Sequence, residues 1–83
     1  MKRLGIVTSL YGPSCLIVCG ENIVSDPINF MNKKVIDQHL NPIGKVVNIF
    51  GSESQIYFLV RFFREFDNDL KARLVKQKLY ISL

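Results

Sequence analysis

The chain has 83 residues, 48% of them hydrophobic and 22% charged, with six Phe, three Tyr and a formal net charge of +4. That is enough apolar material to pack the core of one small domain spanning residues 1–83, and too much for a disordered tail. No apolar run approaches the roughly 18 residues of a membrane span, and the N-terminal stretch is broken at Gly12 and Pro13 before a signal-peptide core develops, so a soluble intracellular protein is expected.

The first predicted strand covers residues 3–10 and ends at the turn residues Tyr11, Gly12, Pro13 and Ser14, with its hairpin partner at 15–19. That partner carries the only cysteines, Cys15 and Cys19. Along an extended strand their Cα atoms stand about 13 Å apart, beyond disulfide reach. A zinc site needs more ligands than these and the single His39 supply, so both cysteines read as buried, reduced strand residues. Gly20, Glu21, Asn22 and the Asp26-Pro27 pair punctuate an irregular connection. A short strand over 33–37, a polar turn over 38–42 and a strand over 43–50 follow, with Pro42 at the strand entrance, where its missing N–H is harmless. After a turn at 51–55, residues 56–63 form the most strongly β-forming stretch. Asp67 is placed to cap a helix running through Leu70 and Leu74, and a last strand covers 79–83. Six short strands and at most one short helix leave no room for crossover helices. The prediction is an all-β fold, a small six-stranded antiparallel barrel with that helix near its C-terminus.

Two strands break the alternation of a half-buried sheet. In PIGKVVNIFG one face carries Val46 and Phe50, and the opposite face carries Val47 and Ile49, so both sides are apolar. In the next strand Ile56, Phe58, Val60 and Phe62 line the core, which presents Tyr57, Leu59 and Phe63 outward beside Arg61. One short helix cannot easily cover this excess, which points to a partner-binding patch; burial by barrel curvature or by the helix is the plain alternative.

Catalytic chemistry is hard to assemble. His39 lies in a turn with only Asp37 as an acidic neighbour, and Asp67 and Asp69 are explained as a helix start. Nucleophile-elbow and phosphate-cradle motifs are missing from the sequence, so no catalytic residue, cofactor or metal is expected. Six of the eleven basic residues, Arg61, Arg64, Lys71, Arg73, Lys76 and Lys78, follow position 60. They suit a basic face near RNA without base readout, since no RNP-type aromatic motif, G-x-x-G clamp or Arg-Gly-Gly repeat is present; an ordinary solvated face fits equally well.

The run IGKVVNIFG followed by IYFLVR resembles the central signature of the Gar subunit of H/ACA ribonucleoproteins, in which a G-K-V stretch leads to an F-G turn and an aromatic strand. The opening RLGIVTSLYGPSCLIV is similar to that family's first hairpin, KKVIDQHLNPIGKV to its second, and LVKQKLYISL to its final strand. The chain departs from the pattern at Asn48, where the family usually has an acid, and at Ser52 and Ile56, where it usually has prolines. The resemblance implies a barrel that docks on the catalytic domain of an RNA-guided pseudouridine synthase and leaves the chemistry to that partner. It further implies help with substrate loading or turnover in rRNA modification, through the synthase's mobile substrate loop, with only indirect or weak contact to guide and substrate RNA. Together with the apolar excess it places the docking patch on Gly44, Val47, Ile49, Phe50, Gly51, Tyr57 and Leu59. Without glycine and arginine-rich tails the chain resembles the archaeal, cytoplasmic form rather than a nucleolar one.

Two other readings stay open. KKVIDQHLNPIGKV also resembles the pattern of PRC-type barrels in ribosome maturation factors, which bind a ribosomal protein. A free-standing single-strand RNA binder on an OB-like barrel would need exposed aromatics among basic groups, and Tyr57 with Arg61 is the one convincing pair.

Overall fold

Alternating apolar residues turn one face of each strand inward in the computed structural model, which describes residues 2–20, 27–52 and 54–82. Strands β1 (Lys2–Tyr11) and β2 (Cys15–Gly20) make the first hairpin, and β3 (Lys34–Ile36) leads through a polar turn into β4 (Pro42–Ser52). Strand β5 (Gln55–Phe62) returns beside β4, and helix α1 (Asn68–Leu74) precedes β6 (Lys78–Ser82). Neighbours pair antiparallel in the order β1-β2-β5-β4-β3-β6, and β6 pairs back onto β1, so the sheet closes. The fold is the expected six-stranded antiparallel barrel with one short helix near its C-terminus. Closure satisfies the strand edges that an open sheet of this size would expose.

Local chemistry sets the element boundaries. Strand β3 stops at Ile36, one residue earlier than expected, because Asp37 folds its carboxylate over its own turn. Its Oδ1 accepts the His39 N–H at 2.8 Å and the Asn41 N–H at 2.9 Å. Of the expected irregular connection, residues 21–26 lie outside the described residues. Its end is a 3-10 turn, Pro27–Phe30, which delivers Phe30 to the core with its ring centroid 5.7 Å from that of Phe58.

The barrel is filled mainly by aliphatic side chains, with Val7, Leu16, Val18, Val35, Val46, Val60, Leu79 and Ile81 all fully buried. Each contributes about 1.5–3 kcal/mol of burial. One end is plugged by Phe62 and Phe66, packed edge to face at 4.9 Å. Helix α1 closes over this plug. Asp67 caps it as expected, its Oδ1 accepting the Leu70 N–H at 2.8 Å. Lys71 turns inward from the helix and is 8% exposed. Its ammonium donates to the Pro13 carbonyl at 2.5 Å and lies 5.9 Å from the Phe62 ring centroid, tying the helix to the β1–β2 turn.

Gly44 is required by close approach, since a Cβ there would run into the Arg61 carbonyl of the paired strand β5. Gly51, at φ 117°, lets β4 turn toward β5, in a conformation that L side chains rarely adopt.

Two pairs of substitutions test these roles by urea denaturation followed by circular dichroism. Gly44→Ala is expected to cost about 3 kcal/mol, because backbone must move to admit the methyl. Gly12→Ala, at φ 63° with open space around it, should cost only about 1 kcal/mol. Lys71→Ala should cost about 2 kcal/mol through lost stem packing and the lost charged bond to the Pro13 carbonyl. Lys78→Ala, on an exposed side chain, should stay within about 0.5 kcal/mol.

Candidate protein-docking face

The outer surface of β2, β5 and β4 carries an apolar stripe whose membership is decided by one irregularity. Between β4 and β5 the register steps from Val46 opposite Val60 to Asn48 opposite Leu59, so Val47 is an extra residue in β4. Such a bulge reverses the facing of everything beyond it. Beyond the bulge, Ile49 pairs with the buried Phe58 and packs against the core, while Phe50 pairs with Tyr57 and is 42% exposed.

This corrects the face assignment expected from strict alternation, which put Phe50 with the buried Val46 and Ile49 on the outside with Val47. The residue placed outward is Phe50. Its ring lies nearly parallel to that of Tyr57, at 18° with centroids 5.5 Å apart. Leu59 and Val47 are half-buried beside this stack, and neither packs against the core. The parity expected for β5 holds: Phe58, Val60 and Phe62 are buried, Ile56 packs on the core, and Tyr57, Leu59, Arg61 and Phe63 keep exposed surface. Gly44 is buried, and it serves the strand crossing rather than offering surface. Gly51 is exposed at the end of the same hairpin.

The stripe continues onto β2. Cys19 lies opposite Tyr57, Ile17 opposite Leu59 and Cys15 opposite Arg61, all on the non-core face and all half-buried. Ile6 of β1 extends it next to Cys19. The expectation that Cys15 and Cys19 are buried is therefore corrected: both are free thiols facing outward between apolar neighbours. Sequence reasoning missed Ile6, Ile17 and Cys19 as members of this face. The signal was present in CLIVCG, which is apolar in both parities just as β4 is.

The six basic residues singled out after position 60 do not form one group. Arg61 is exposed on β5 opposite Lys45, and it shares a small hollow with Arg64. The Arg64 guanidinium sits 5.1 Å over the Phe66 ring, and Arg64 and Arg73 line a larger groove beside α1. Lys76, in the left-handed region at φ 73°, and Lys78 are exposed at the entrance to β6. Lys71 is removed from any outward basic face by its inward contacts with Pro13 and Phe62. His39 is an exposed turn residue, as expected. Among the described residues no helix is long and apolar enough to cross a membrane.

What this geometry can do is bind: a stacked aromatic pair flanked by aliphatic side chains, on a rigid closed sheet, offers desolvatable area at low entropic cost. No family model matches the chain. A search of curated proteins also finds no match. Among solved structures the barrel is similar to the structure of the Gar1 domain of NAf1, with a TM-score of 0.68 and 14% sequence identity, covering 98% of this chain and 83% of that one. At that identity the likeness is one of fold, a Gar1-like barrel.

Proposed function

We propose that this chain, taken as one barrel unit over residues 1–83, is a non-catalytic subunit of an H/ACA-type RNA-guided pseudouridylation complex. It docks on the pseudouridine synthase through the outer face of β2, β5 and β4, and promotes substrate loading or turnover in rRNA modification. The observation that carries the reading is the Phe50–Tyr57 stack on that face. It lies within the very segment, IGKVVNIFG and IYFLVR, that resembles the Gar signature. The Gar1-like fold supports the same reading over nearly the whole chain.

A protein fits this face better than single-stranded RNA. Phe50 and Tyr57 stack on each other, and along β5 the aliphatic Leu59 separates Tyr57 from Arg61, so bases and phosphates have no alternating track. A subunit of this kind alters turnover only by contacting two states of the synthase unequally.

The test separates folding from docking. Tyr57→Glu is expected to retain the β-sheet circular dichroism spectrum, because the side chain faces outward, and to lose about 2 kcal/mol or more of synthase binding. Copurification with the synthase and the added multiple-turnover pseudouridylation should both disappear. Ile49→Glu should instead unfold or strongly destabilise the barrel, since Ile49 packs on the core. If Tyr57→Glu folds and still stimulates the synthase normally, the docking face lies elsewhere on the barrel.

A further inference from the structure

A second surface, separate from the apolar stripe, lies where the β3–β4 turn meets α1. Here a groove of about 560 Å³ is lined by His39, Ile43, Arg64, Phe66, Leu70 and Arg73, among others. Along β4 its Ile43 wall is four residues, about 13 Å, from the bulge residue Val47 that organises the docking stripe.

Two observations define what it would take. The first is charge. Arg64 and Arg73 line the groove against a single acid, Asp37. The Asp37 carboxylate already accepts the His39 and Asn41 N–H groups and the Asn41 side-chain amide at 3.2 Å, so it is committed to its own turn. The second is the apolar lining: Leu70, 42% exposed on α1, stands along the groove with Ile43, Phe66 and Leu74.

We propose that this groove docks an acidic, leucine-bearing peptide segment of a partner protein, with its carboxylates on Arg64 and Arg73 and its apolar side chains against Leu70 and Leu74. Charge complementarity selects an acidic occupant, and the apolar lining selects one with apolar side chains. Nucleic acid is disfavoured by the same geometry. Of the two rings lining the groove, Phe66 is 9% exposed and lies under the Arg64 guanidinium, so it offers no open face for a base and leaves the exposed His39 as the single ring that could stack one.

The experiment is a titration of the ¹⁵N-labelled chain, followed by NMR, with three probes: a short synthetic peptide alternating Glu or Asp with Leu, an oligoglutamate of equal charge, and oligouridylate. The Glu/Leu peptide is expected to shift the amides around His39, Arg64, Leu70 and Arg73 in a saturable way, and Arg73→Glu should weaken it about tenfold or more. Leu70→Ala is the decisive variant. Leu70 is exposed on α1, so the variant should keep the parent's circular dichroism spectrum while binding the peptide more weakly. Equal shifts from oligoglutamate would reduce the groove to a non-selective cationic patch and overturn the proposal. Preferential shifts from oligouridylate would assign it to RNA, and the lack of any saturable shift would leave it without an occupant; either result also overturns the proposal.

Discussion

The single extra residue in β4 is the constraint on which the rest of the surface depends. With unbroken alternation from the buried Val46, Phe50 would turn toward the core and Ile49 toward solvent. The bulge at Val47 reverses them, bringing Ile49 in beside Phe58 and Phe50 out onto Tyr57. A bulge costs ladder hydrogen bonding, and here a side chain offsets part of that cost: Asn48 Oδ1 accepts the Ile49 N–H at 2.9 Å. A carboxylate at this position would present the same kind of oxygen acceptor as the side-chain amide of Asn48.

Barrel closure explains why an apolar outer face is left over. The interior is narrow and filled by Val, Leu and Ile together with Phe30 and Phe58, and the strand crossing near Gly44 has no space even for a methyl group. Once that volume is full, further apolar residues on β2, β4 and β5 have nowhere to go but outward. The helix does not cover them. It is spent on the Phe62–Phe66 end of the barrel, where Lys71 fastens it to the β1–β2 turn. A small barrel with both faces of three strands apolar therefore carries an outward apolar surface as a direct consequence of its size.

Most of the fold was legible because turns and strands leave local marks. Gly12-Pro13, the Asp37–Pro42 turn and Gly51 divide apolar runs of strand length, and Asp67 announces the helix it caps. The inward row of β5 followed from simple parity. What escaped detection depends on contacts between distant segments. A bulge leaves no mark in a hydrophobic pattern that is apolar on both faces, so which of Ile49 and Phe50 faces outward was not legible there. Lys71 looks like any helix-surface lysine until Pro13, 58 positions away, is brought beneath it. The outward facing of Cys15 and Cys19 follows from Leu16 and Val18 taking the core positions, a choice that apolar content in both parities could not make. The groove beside α1 joins residues 37–43 to residues 64–77, and nothing local in either segment marks it.

The distribution of charge separates approach from retention. The cations outside the core are spread over several elements: Arg61 with Lys45 at the margin of the apolar stripe, Arg64 and Arg73 in the groove, Lys76 and Lys78 at the entrance to β6. Spread in this way they supply no continuous track for a phosphate backbone, but their summed field still draws the chain toward an acidic assembly. On the proposed reading, then, the net charge acts mainly on the encounter rate, which salt screens, while the desolvated Phe50–Tyr57 face governs dissociation, which salt affects little. On that reading the chain is attracted by RNA yet held by protein, an arrangement that would let it act on a partner without competing for the nucleic acid the partner handles.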